Sequence, residues 1–258
     1  MRRLRLITFR HRSHATNWSL GLLLAFNAGA VNAGGFLVLH AYTSHMTGFT
    51  SQLADSGVLG NVALFLSALG AIVSFIAGAA VCAVLVNWGR QIRLRGIYAL
   101  PLLLEASLML AFGLMGAITL TWPTPFAVPA TGLLLSFIMG LQNAVGSKTS
   151  AGSIRTTHMT GNITDFGMEL GKLLYLNPAG TPPDRLVRHH PWRMQRSAGL
   201  VLMFVFGGVA GALGFKYVGF ICVVPLASLL LALSVPPLVR EMPRLAAFRR
   251  VLKSSRRS

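Results

Sequence analysis

The chain is written in long uncharged apolar blocks separated by short polar ones. No Lys, Arg, Asp or Glu occurs from Ser13 to Ala54, Ser56 to Gly89, Ala106 to Ser147, Ser197 to Phe215 or Tyr217 to Val239. A membrane-crossing helix needs about 20 apolar residues, and prolines divide a block that holds two. The pattern predicts spans near 18–39, 58–86, 97–120, 127–147, 197–215 and 218–238. The expected fold class is therefore all-α, a polytopic transmembrane helical bundle of about six spans. Small residues recur at every fourth position, as Gly21, Ala25, Gly29 and Ala33 in span one and Gly132, Ser136, Gly140 and Ala144 in span four. Such stripes let backbones approach closely, which matters because lipid supplies no hydrophobic force between helices.

Two stretches repeat. Thr43 to Gly48 (TSHMTG) and Thr156 to Gly161 (TTHMTG) agree at five of six positions, and Gly21 to Gly35 agrees with Gly132 to Gly146 at nine of fifteen. Both repeats keep the same order, so the chain reads as two related halves, 18–120 and 127–239. With three spans in each half, the second copy is expected upside down, His45 toward the outside and His158 toward the cytoplasm. That inverted plan is shared by many secondary transporters. Trp122-Pro123-Thr124-Pro125 is expected to form the turn between halves, and Tyr175 to Arg196 a polar loop.

Charge orients this picture. Of 258 residues 11% are charged and 53% hydrophobic, and the net charge is +17. That charge alone would fit a nucleic-acid binder. Position argues otherwise: with a cytoplasmic N-terminus, 22 of 23 Lys and Arg side chains fall inside, only Lys216 outside, as the positive-inside rule requires. Residues 1–17 form a basic cytoplasmic segment and 240–258 a basic cytoplasmic tail. The tail, with Leu245, Phe248 and Leu252 among basic residues, is expected to lie on anionic lipid. The recurrence of the first apolar stretch in mid-chain argues against a cleaved signal peptide. Cys82 and Cys222 fall inside spans and indicate neither a disulfide framework nor a metal site.

Polar groups inside a membrane are costly and mark function. Asn32 and Asn143 correspond in the repeat and precede Gly34-Gly35 and Gly146, where glycine is expected to unwind the helix. Each chain is expected to resume at Thr47-Gly48 or Thr160-Gly161, the threonine capping a helix whose amides face a polar ligand. His45 and His158 are candidates for proton exchange. Glu105, the only acidic residue well inside a span, is either a protonatable coupling group or a carboxyl buried against an asparagine or a backbone group. Asp55 and Asp165 are weaker candidates, expected as caps or ion pairs, and His189-His190 is expected to be solvated. No P-loop, GxSxG or HExxH is present, so ATP-driven pumping, hydrolysis and zinc chemistry have no visible equipment. No catalytic residue, metal or cofactor is expected.

The asparagine-containing first helix, HMTG, and the second-half Gly140 to Ala144 (GLQNA) followed by Thr160-Gly161-Asn162 resemble the YoaK family of bacterial membrane proteins, a domain family of unknown function. The resemblance covers nearly the whole chain and implies a bacterial inner-membrane protein of about six spans with no established substrate. It also draws Asn162 into the candidate site. Many relatives resemble GxxDA where this chain has Gly29-Ala30-Val31-Asn32-Ala33, and TGN where it has Thr47-Gly48-Phe49. Asn32 hydrogen-bonds but does not titrate. The reading is a secondary transporter or permease of a small molecule or ion. Its rival is a non-transporting membrane scaffold or accessory subunit. Expected partners are the bilayer and anionic lipids, not nucleic acid, with homo-oligomerisation left open.

Overall fold

In a computed structural model of the chain, residues 14–39, 42–121, 127–149 and 156–255 are described. Among the described residues eight α-helices are formed: α1 (His14–Leu39), α2 (Met46–Val58), α3 (Val62–Gln91), α4 (Ala99–Thr121), α5 (Ala127–Thr149), α6 (Met159–Leu174), α7 (Pro191–Val218) and α8 (Val223–Ser255), with a 3-10 turn at Gly219–Cys222. Among the described residues there is no strand. Five stretches are long and apolar enough to cross a membrane; the last, Pro191–Glu241, takes in α7, the 3-10 turn and much of α8. The protein is thus an all-helical, membrane-embedded bundle. The turn expected at Trp122 to Pro125 lies outside the described residues.

Three expectations are corrected. Helix α1 passes through Gly34-Gly35 to Leu39, and α5 through Gly146 to Thr149; a helical glycine costs only about 1 kcal/mol, which the surrounding packing overrides. The segments after the HMTG corners are short separate helices, α2 and α6. The loop after α6 ends at His190, because Pro191 opens α7 at the first helical position, where a missing N–H costs nothing. Helix α8 continues past 238, the expected end of its span, to Ser255.

Glycine decides which helices touch. A side chain at Gly29 would overlap the backbone of Phe204, and one at Gly207 that of Phe26. At corresponding places, a side chain at Gly140 would overlap Phe75 and one at Gly78 would overlap Phe137. Helix α1 therefore lies backbone to backbone on α7, and α5 on α3. The contacts advance together, Gly199 meeting Trp18, Gly207 meeting Phe26, Gly211 meeting Ala30 and Phe215 meeting Gly34, so α1 and α7 run parallel. Between α4 and α8 they advance oppositely, from Gly96 against Pro237 to Gly113 against Val223, so that pair is antiparallel. Helices α1 and α5 form the centre: 67% and 56% of their apolar windows are buried, against 22% for α3.

The ends are tied by polar groups. The Glu241 carboxylate accepts from Arg95 N–H (2.8 and 2.9 Å) and Gly96 N–H (3.2 Å), fastening α8 to the entry of α4. Tyr98 Oη donates to the Lys148 carbonyl at 2.9 Å, adding the end of α5. Trp18 and Trp192 pack edge to face at 5.5 Å where α1 and α7 begin. At the other end Phe220 packs against both Phe112 and Phe215. Glu169 on α6 accepts from Lys172 (2.8 Å) and from His190 N–H at the entry of α7 (2.7 Å).

Gly207→Ala is expected to lower stability by about 1–3 kcal/mol through overpacking, whereas Gly171→Ala, at an exposed position with nothing within 4 Å, is expected to raise it by about 0.5–1 kcal/mol through helix propensity. Thermal unfolding in detergent reads the opposite signs. Lys172 and the His190 amide hold the Glu169 carboxyl below the usual glutamate range. Its contribution is therefore complete above that range and lost as pH falls through the lowered value. Limited proteolysis of the 175–190 loop is expected to accelerate on acidification, and E169Q is expected to show the fast rate already at neutral pH.

Candidate functional site

The two HMTG corners have one backbone form. His45 and His158 both stand at φ −88°, ψ 68° as the residues before α2 and α6, and neither side chain caps its helix. The expected threonine caps are corrected: Thr47 and Thr160 lie inside the first turn, so they cannot occupy the extended cap position. Gly48 and Gly161 have a steric task. A side chain on Gly48 would overlap the His45 ring, and one on Gly161 the His158 ring, so each imidazole folds over its own first turn.

After α1 the chain folds back. Ser44 donates to Asn32 Oδ1 through its hydroxyl (3.1 Å) and its amide (3.4 Å), which brings the corner beside the helix it has just left. From there α2 leads away to the start of α3. The Met46 and Met159 amides donate to the Ser44 and Thr157 carbonyls, each at 3.1 Å; the next amides of each first turn have no intrahelical partner and no side-chain cap, and they present partial positive charge to whatever lies before them.

What lies before them is a cavity of about 760 Å³. His45, Met46 and Thr47 line it from one corner, and His158, Met159 and Thr160 from the other. Asn32 and Asn143 both reach it, and Phe36, Tyr42, Phe75 and Phe204 supply aromatic wall. The sequence placed the two corners toward opposite faces; here both border one chamber. Among the described residues, no Lys, Arg, Asp or Glu is part of the lining. Its chemistry is that of amides, hydroxyls, imidazoles, thioethers and aromatic rings, suited to a small solute that is partly polar and partly apolar.

The chamber is unequal. Asn32 is closed onto Ser44, while Asn143 Oδ1 is buried with no hydrogen-bond partner. Helix α7 contributes five lining residues, including Gly208 and Ala212, but α3 only Phe75. The space therefore extends along α1 and α7 and is narrow along α5 and α3.

The other expected residues stand apart from it. Gly48 and Gly161 support the histidines from behind, and Asn162, buried on α6, is not part of the lining. Asp55 borders a smaller cavity beside α2, and neither it nor Asp165 forms an ion pair among the described residues. His190 acts through its backbone amide. Glu105 is fully buried elsewhere in the bundle, with Asn27 Nδ2 3.5 Å from Oε1, the asparagine contact the sequence had offered as one alternative. Asn27, Gln142 and the α7 wall were missed. Asn27 and Gln142 are intramembrane polar residues and were detectable as such, but each aligns with an apolar residue in the other half, Ile138 and Val31. Among the described residues no three His, Cys, Asp or Glu converge as metal ligands.

These features define a polytopic helical membrane protein with an internal chamber. Residues 20–235 match the model of a family described as "Protein of unknown function (DUF1275)", and the chain belongs to that family. No curated protein and no solved structure matches it.

Gly48→Ala and Gly161→Ala are expected to push the imidazoles off the first turn while leaving helix content unchanged. Diethyl pyrocarbonate modification mapped by mass spectrometry is expected to rise at His45 in the first variant and at His158 in the second, each without change at the other.

Proposed function

We propose that the protein is a secondary carrier of a small solute, built as two inverted halves, with its binding site in the chamber between the HMTG corners. The observation that carries this reading is that both copies of one motif, each opening a helix without a side-chain cap, border the same cavity. Helices that begin inside a bundle and point their amino ends at a ligand are the means by which many carriers hold polar groups. The amides of the first turns would donate to the solute, Asn143 Oδ1 would accept from it, and the aromatic wall would cover its apolar part.

The glycine contacts support the inverted plan. Gly29 on Phe204 and Gly140 on Phe75 are one contact seen twice, as are Gly207 on Phe26 and Gly78 on Phe137. A two-fold operation exchanging α1 with α5 and α7 with α3 accounts for all four. The inequality of the chamber then belongs to one of two alternately open states: Asn32 closed and Asn143 open here, the reverse in the other. In this reading both termini face the cytoplasm of a bacterium, the helix-end arginines meet anionic lipid of the inner membrane, and the chain catalyses no reaction.

The two-fold relation identifies the residues that replace one another, Ala212 of the present wall and Ala83 of the opposite one. Single cysteines at these positions in a Cys82→Ser, Cys222→Ser background are expected to react with a water-soluble maleimide in opposite proportion. Cross-linking α1 to α7 at the contact they make in this state should hold position 212 reactive and position 83 protected. Labelling at the two sites that rises and falls together would count against alternation and favour a static scaffold.

A further inference from the structure

Away from the chamber, three polar side chains from three helices meet in the apolar core. Glu105 of α4, Asn27 of α1 and Gln142 of α5 are each fully buried. Asn27 Nδ2 stands 3.5 Å from Glu105 Oε1 and 3.5 Å from Met109 Sδ. Gln142 approaches the same carboxyl from α5 without closing a hydrogen bond. Four polar atoms here lack any partner: Asn27 Oδ1, Glu105 Oε2, and both Oε1 and Nε2 of Gln142. Three of them are acceptor oxygens. The fourth, Gln142 Nε2, is a donor, so unpartnered acceptors outnumber unpartnered donors three to one.

Among the described residues, no side-chain cation supplies a further donor. Helix α3 faces the cluster with Cys82. On α5 the one charged residue is Lys148, nearly two turns beyond Gln142. Helix α1 brings no charged group between Trp18 and Leu39. On α8 the nearest titratable groups are Arg240 and Glu241, and Glu241 is engaged with Arg95 and Gly96 at the end of the bundle. An isolated carboxylate in such a place is strongly disfavoured, and a buried acceptor without a donor carries its own cost.

We propose that Glu105, Asn27 and Gln142 form a proton-binding site, in which a proton on Glu105 Oε2 is donated to the amide oxygen of Asn27 or Gln142. The chemistry is one O–H bond: the carboxylate takes a proton from water on loading and returns it to water on release. The position of the cluster gives that exchange a consequence. Asn27 lies on the side of α1 roughly opposite Gly29, Asn32, Ala33 and Phe36, which line the chamber, and Gln142 adjoins Asn143 on α5. Any tilt of α1 or α5 that reshapes the chamber therefore moves the amides that hold the proton. Coupling of the proton to carriage rests on the carrier reading; occupation of the site by a proton does not.

Infrared difference spectroscopy of the purified full chain in lipid nanodiscs tests the site directly. A carboxylic-acid carbonyl band is expected at neutral pH, shifted by glutamate-specific carbon-13 labelling, lost in E105Q and retained in E169Q and E241Q. The labelling needs no substitution, so the assignment survives if E105Q misfolds. Transfer into D2O should shift the band, and Asn27→Leu and Gln142→Leu should each move it to higher frequency by removing a hydrogen-bond partner. Absence of the band would mean an ionised carboxyl and overturn the proposal. A band that ignores D2O would mean a sealed structural acid, and one unmoved in both leucine variants would remove the amides from the site; either also overturns it. If the infrared results hold while the cysteines at 83 and 212 label together, the proton site stands and the carrier reading falls.

Discussion

The bundle depends on backbone-to-backbone contact at glycine. In lipid no water is released when two apolar helices meet, so association rests on dispersion between close surfaces, and dispersion fades within an ångström of separation. Gly29 and Gly207 remove the side chains that would hold α1 from α7, and Gly140 and Gly78 do the same for α5 and α3. The wide apolar faces of α3 and α7 are left to the lipid. From these two close pairs follow the central position of α1 and α5, the placing of Asn32 and Asn143 beside the HMTG corners, and the chamber between them.

Close packing of the frame makes the polar interior affordable in two separate places. One is the chamber, where amides, imidazoles and uncapped helix starts surround open space. The other is the Glu105 cluster, where polar atoms are enclosed without it. Helices α1 and α5 border both, one side of each turned to the chamber and another to the carboxyl. A bundle in which one pair of helices touches two polar sites cannot rearrange one without disturbing the other, because packed interiors shift between discrete arrangements rather than yield smoothly. The rigid ties at Glu241 and Tyr98 fix one end of α4, α5 and α8, and they leave the α1–α7 pair outside that clamp.

Much of this was legible in the residues. Uncharged blocks of spanning length gave the major helices within about six positions, the far end of α8 excepted, since helix existence in lipid follows from the need to satisfy every backbone amide internally. The repeat singled out Asn32, Asn143, His45 and His158, and all four line the chamber. The short helices α2 and α6 were harder to see. They are only 13 and 16 residues long and carry mixed polar sequence, so hydropathy merges them with their neighbours, and the histidine that precedes each one is not a usual cap.

The amino-acid sequence by itself determined what must be buried in lipid, where glycine permits close approach and which positions recur, because these depend on composition and spacing along the chain. Only the tertiary structure decided that α1 pairs with α7 rather than with a helix of its own half, that the two corners share one chamber, and that Glu105 meets Asn27 and Gln142. Those facts join residues more than a hundred positions apart or on unmatched sides of the repeat. Which backbone lies within reach of which is set by the mutual fit of surfaces, and spacing along a chain does not carry that information.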